Sequence, residues 1–127
     1  LVKKAGRNLT ISVGQLIGQQ KHLEGKERKR SEDVYYDYPS SYKVNLDLEV
    51  PSGYSVSAES LQKLNTLVDN AAIRFEVNAE QAKGKVIVHV QKVYKKQIVP
   101  VAEWAQLLEA LDRAYAFTNQ QVILKKN

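Results

Sequence analysis

YKVNLDLEVPSGY, residues 42–54, is the stretch on which the fold turns. Tyr42, Val44, Leu46, Leu48 and Val50 alternate without a break against Lys43, Asn45, Asp47 and Glu49. A period of two sends successive side chains to opposite faces of an extended strand, so one face is apolar and the other wet. Burying such side chains contributes roughly 1.5–3 kcal/mol each before chain entropy is subtracted. Pro51 ends the pairing, and Ser52-Gly53 supplies a turn towards Tyr54. The expectation is a central strand of an antiparallel sheet with one packed face.

The same period returns further along. Ile73, Phe75, Val77 and Ala79 alternate with Arg74, Glu76 and Asn78, Lys83-Gly84 closes a loop, and Val86, Val88 and Val90 come back as the partner strand. His89 falls on the face opposite those valines, and His22 lies remote in sequence, so no joint metal site is expected. Between the organising strand and this hairpin, residues 59–64 read as a short helical turn. A strand then runs into a reversal at Asp69-Asn70-Ala71-Ala72. Pro100 marks a switch to helix, where its missing N–H has no partner to lose. Val101, Trp104, Leu107, Leu108, Leu111 and Tyr115 form one apolar stripe, expected to lie across the sheet with Trp104 as the largest contact. Glu109 and Arg113 make an i,i+4 pair on the wet side. Asn119-Gln120 ends the helix, and Val122-Ile123-Leu124 forms a last strand.

Working towards the N-terminus, Leu9, Ile11 and Val13 read as a short strand interrupted by Gly14. Leu16-Ile17-Gly18 and the polar Gln19-Gln20-Lys21-His22 read as a second extended piece, with Gly14 and Gly18 marking a bulge or a close backbone approach. Lys26, Arg28, Lys29 and Arg30 fall in the most charged stretch of the chain, diluted by Glu24, Glu27, Glu32 and Asp33. One reading is a basic patch for a polyanion. The preferred one is a solvated hairpin loop and edge strand, where cations discourage aggregation. Tyr35, Tyr36, Tyr38 and Tyr42 crowd the next segment. An aromatic platform for sugar rings or bases has this look. So does a strand end followed by a Pro39-Ser40-Ser41 loop, the reading we prefer.

At 127 residues, with 43% hydrophobic and 26% charged residues, the chain reads as a single globular domain spanning 1–127. A formal charge of +5 and pI near 9.4 permit an anionic partner without demanding one. Cysteine is absent, which excludes disulfides, thiolate metal sites and cysteine nucleophiles. There is no glycine-rich phosphate loop, zinc-type His pair or Gly-x-Ser-x-Gly elbow, so neither cofactor nor catalysis is expected. Asp47 and Glu49 project from one strand face and cannot oppose each other across a cleft. No apolar run approaches the ~20 residues of a membrane span. The chain opens on Leu1-Val2-Lys3-Lys4 and contains no methionine, and the expectation is a domain excised from a larger protein.

The order of these pieces carries a resemblance. Val50-Pro51-Ser52-Gly53-Tyr54 is followed by Leu61, Leu64 and Asn70 ahead of Phe75. Val93-Tyr94-Lys95-Lys96 precedes Pro100 and Trp104, and Leu111-Asp112, Ala114, Phe117 and residues 122–126 close the pattern. The chain resembles the C-terminal β-rich domain, of uncharacterised function, that follows a transglutaminase-like domain in exported proteins of Gram-negative bacteria. The likeness is strongest from about Tyr36 onward. It implies a β-sandwich or bent antiparallel sheet with one C-terminal amphipathic helix packed on it, located outside the cytoplasm (periplasmic or cell surface). It departs at Ala71-Ala72-Ile73, where the pattern leads one to expect a glycine. The Cys/His/Asp site of the neighbour has no counterpart here.

Two functions of different class follow. The resemblance implies a non-catalytic accessory domain that positions a transglutaminase-like, cysteine protease-like neighbour or presents substrate to it. The alternative is an independent module for carbohydrate or polyanion, using residues 26–30 and 35–42, with Arg28, Lys29, Arg30, Tyr35, Tyr36 and Tyr38 as the candidate surface. Nucleic acid ranks below both, since nothing in the sequence makes those cations converge.

Overall fold

The computed structural model describes residues 2–18, 20, 22–36 and 40–127. Strand β1 (Val2–Ala5) turns over Gly6 into β2 (Asn8–Ile11). The two-residue strand β3 (Val34–Tyr35) precedes β4 (Ser40–Glu49), which carries the alternating stretch. Pro51 stops that ladder, and Gly53, at φ +87°, makes the corner into β5 (Tyr54–Val56). Ser57 caps the short helix α1 (Ala58–Gln62) by accepting the Ser60 N–H. Strands β6 (Thr66–Asp69), β7 (Ile73–Ala82) and β8 (Lys85–Tyr94) form a meander, followed by β9 (Ile98–Val99), α2 (Trp104–Phe117) and β10 (Val122–Lys126).

All pairing among the described residues is antiparallel. Among the described residues the sheets are β1-β2-β10-β5, β4-β8-β7-β6 and the ribbon β3-β9. In the second sheet Val44, Val90 and Val77 stand in one row, and Leu46, Val88 and Ala79 in the next. One hydrophobic cluster joins the inner faces of both large sheets and α2, from Ile11, Val122 and Leu124 to Phe75, Val77, Leu107 and Ala114. The fold is mostly β with one C-terminal helix packed on the sheets, as the alternation and the resemblance imply.

Several expectations need correction. β4 is an edge strand, not a central one: β8 takes β4 on one side and β7 on the other. Alternation reports which face is apolar and is silent on whether a second neighbour exists. As a result Val44, Leu46 and Leu48 stay half-buried, while Val86, Val88 and Val90 of β8 are fully enclosed. The piece at Leu16-Ile17-Gly18 is not extended. It belongs to a 3₁₀ turn, Val13–Ile17, that buries both Val13 and Ile17. The close approach expected at glycine does occur: a Cβ on Gly14 would lie 1.9 Å from the Phe117 carbonyl oxygen.

The helix face is also rotated from the stripe read in the sequence. Its buried residues are Leu107, Ala110, Leu111, Ala114 and Phe117, two of them small enough to let the helix settle against β6 and β7. Val101 lies before α2 and is 40% exposed, and Trp104 is only half-buried, so Trp104 is not the main core contact. Residues 25–28 form an exposed 3₁₀ turn in place of the expected hairpin and edge strand. The reversal before Phe75 needs no glycine. The Asn70 side-chain oxygen accepts the N–H groups of Ala72 and Ile73, each at 3.0 Å, and no residue there has positive φ.

Candidate functional site

The basic and tyrosine segments meet in a cleft of about 480 Å³. Lys29, Arg30, Tyr35 and Tyr36 line it, together with Glu27 and Val34. Its floor is Leu23 and Leu111, and Tyr94 and Trp104 complete the wall. Each wall has a local cause. Arg28 sits at the end of the 3₁₀ turn and points away from the cleft, towards α2. There its guanidinium donates to the Asp112 carboxylate at 3.0 and 2.7 Å and to the Leu23 carbonyl at 3.1 Å. The Trp104 indole N–H donates to the Arg28 carbonyl at 2.7 Å, tying the loop to the first turn of α2. Arg30 then lies over the Trp104 ring, 5.4 Å from its centroid, while its guanidinium donates to the carbonyls of Glu32 and Asp33.

The tyrosine wall rests on the β3–β9 ribbon. Tyr36 donates its backbone N–H to the Gln97 carbonyl at 2.7 Å, and its ring packs tilted on Tyr94 at 4.9 Å. Burial pushes the Tyr94 hydroxyl up to about 12, helped by Tyr36. Burial also raises the Tyr36 hydroxyl, against a smaller opposing pull from Arg30. Both therefore hold their protons at neutral pH and act as neutral hydrogen-bonding groups. Tyr35 is 70% exposed at the rim. Outside the cleft lining, Lys96 donates to both Glu103 carboxylate oxygens at 2.8 and 2.9 Å.

Four of the six sequence-predicted residues thus share one cleft: Lys29, Arg30, Tyr35 and Tyr36. Arg28 is spent on the ion pair with Asp112, and Tyr38 lies outside the described residues. Sequence reasoning assigned Tyr94 and Trp104 no part in the site. The available signal was Lys92, which stands in phase with Val86, Val88 and Val90 and so marks where the apolar face of β8 gives way to a polar rim. Its ammonium donates to Gln20 at 2.7 Å and lies 5.5 Å from the Tyr94 ring centroid. The two histidines take separate partners. His22 stacks on Tyr115 at 4.2 Å, and His89 contacts the Asn45 side-chain oxygen at 2.6 Å on the wet face of the sheet. Among the described residues no three His, Asp or Glu side chains are grouped to hold a metal ion. Nor is any helix among them long and apolar enough to cross a membrane.

Such a cleft offers flat aromatic faces, two cations and neutral hydroxyls, which suits stacking and hydrogen bonding to a polar or anionic ligand. Comparison with proteins of curated function finds no match. Among solved structures, a "putative protease" from Parabacteroides distasonis ATCC 8503 shares the fold, with a TM-score of 0.64 and 11% identity. The likeness covers 76% of this chain but 19% of that one, so the domain spans a minor part of the larger protein. The family described as Domain of Unknown Function with solved-structure structure (DUF3858) matches residues 8–124, and the chain belongs to that family.

Proposed function

We propose that this domain is a non-catalytic module of a larger exported, protease-like protein, where it sits beside a transglutaminase-like catalytic domain and presents substrate to it. The observation that carries this reading is the likeness to a minor part of a much longer chain described as a "putative protease". The cleft chemistry supports it: stacking rings and cations bind without needing to react. The test is to delete the domain from the intact protein and assay cleavage of a polymeric substrate. A raised KM is expected, and unchanged kinetics would remove the reading.

A second reading has its own support in the convergence of Lys29, Arg30, Tyr35 and Tyr36 on one cleft. Here the domain binds an acidic carbohydrate by itself. Trp104, the chain's single tryptophan, lines the cleft and reports occupancy by fluorescence. Titration with a uronic acid oligosaccharide should change that signal saturably, with affinity falling as salt rises. A flat titration, or one unaltered by Arg30→Ala with Tyr36→Ala, counts against it.

A further inference from the structure

The longest free edge among the described strands belongs to β4. The other edges of the two four-stranded sheets, β1, β5 and β6, have four, three and four residues, and the ribbon strands β3 and β9 have two each, whereas β4 has ten. Natural edges of this length are usually broken by proline, a bulge or an inward charge. β4 has none of these: its pairing with β8 runs one-to-one from Ser40–Tyr94 to Glu49–Lys85, and its inward residues are Tyr42, Val44, Leu46 and Leu48.

The phase of the free edge can be fixed. Val50 donates its N–H to the Gly84 carbonyl at 2.9 Å, so even-numbered residues of this strand turn N–H and C=O towards β8. Lys43, Asn45, Asp47 and Glu49 therefore turn theirs outward. Among the described residues no hydrogen bond reaches the outward backbone groups of Lys43, Asn45 or Asp47.

We propose that two copies of this chain pair β4 against β4, antiparallel, about a two-fold axis through Asn45. Three arguments select this arrangement. An axis passing between residues would set the apolar face of one copy against the wet face of the other, so the axis must pass through a residue. With the axis at Asn45, Lys43 stands opposite the partner subunit's Asp47 and Asp47 opposite the partner's Lys43. On the inner face Val44 meets the partner's Leu46, and Tyr42 meets the partner's Leu48. Both the charges and the apolar rows are thus self-complementary, as a two-fold interface requires.

Neighbouring registers do less. An axis at Val44 sets Lys43 against Asn45 and leaves both charges unpaired. An axis at Leu46 pairs Lys43 with Glu49 but runs Ser41 into Pro51. The Asn45 register keeps residues 41–49 in the ladder. It also covers the inner side chains of β4, which are half-exposed where the corresponding residues of β8 are enclosed. The product is one continuous sheet, with the four strands of each copy joined across β4.

Sedimentation equilibrium of the 127-residue chain, run to about 100 μM, tests the proposal. A monomer–dimer equilibrium is expected. Lys43→Glu, on an exposed position, should weaken the dimer about tenfold by setting like charges opposite each other twice. Asn45→Cys should form an intermolecular disulfide on oxidation, with a clean readout because the chain has no cysteine of its own. A chain that stays monomeric throughout overturns the proposal. So does a dimer indifferent to Lys43→Glu in which Asn45→Cys does not cross-link.

Discussion

Arg28 and Asp112 lie 84 residues apart and meet through two parallel hydrogen bonds, clamping the charged loop onto α2. The Arg28 hydrogen bond holds the Asp112 carboxyl below its ordinary value, with a smaller contribution from His22. A lowered carboxylate pKa stabilises the fold fully above the unfolded value of about 3.9 and loses that contribution as pH falls through the folded value. Asp112→Asn should therefore flatten the acid limb of a plot of thermal midpoint against pH. At neutral pH it should also speed amide exchange in residues 23–30 while leaving β7 and β8 protected. Equal acid sensitivity in the variant and the parent would show that the clamp contributes nothing.

The cleft and the core should respond separately to truncation. Phe75→Ala empties a side chain that is 1% exposed and should cost about 3–5 kcal/mol in denaturant unfolding. Tyr35→Ala removes a ring that is 70% exposed and should change stability by about 0.5 kcal/mol or less. If the cleft takes an acidic sugar, Tyr35→Ala should nonetheless weaken the tryptophan-detected titration. The pair separates loss of binding from loss of fold.

Gly14→Ala should destabilise the chain by about 3 kcal/mol or more, because the new methyl meets backbone. Phe117 O would lie 1.9 Å from it and the Thr118 carbonyl carbon 2.7 Å, and neither can rotate aside. Gly14 also donates to the Gln120 carbonyl at 3.2 Å, so moving the turn away breaks a hydrogen bond. By contrast Gly84→Ala has open space around its Cβ and is strained only by its φ of +71°. Urea midpoints should rank Gly14→Ala well below Gly84→Ala.

Burial lowers the pKa of Lys92, whose described hydrogen bond is to a neutral amide, Gln20. For a lysine depressed on folding, the charged form opposes the fold at neutral pH. That penalty is relieved as pH rises from the folded value through the unfolded one near 10.4. Lys92→Met should thus raise the thermal midpoint at pH 7, with a gain that shrinks towards pH 10. A midpoint that falls at pH 7 would mean the Gln20 contact outweighs the desolvation of the ammonium.

Legibility in the sequence followed the range of the interaction. β4, β7 and β8 could be read because period-two patterns are local and each strand is long. The close approach at Gly14 was legible because only glycine lets two backbones come that near. The edge position of β4 was not, since it depends on whether another strand comes to lie along its outer side, and among the described residues none does. The true helix face was hidden because Ala110 and Ala114 carry little hydrophobic signal yet are buried at its centre. In the cleft, residue types pointed to Arg30 and Tyr36. Trp104 and Tyr94 join them only through the tertiary path that brings α2 and the end of β8 to the same loop.

β10 inserts between β2 and β5, with Leu124 facing Leu9 on one side and Val56 on the other. On the ribosome this has a temporal cost. β2 and β5 are made early but have no shared neighbour until Val122–Lys126 has been synthesised, more than 60 residues after β5. At about 5–20 residues per second, those strand edges wait several seconds for their partner. The β6-β7-β8 meander needs no such wait, so the nascent chain passes through a stage with one sheet assembled and the other still open to intermolecular pairing.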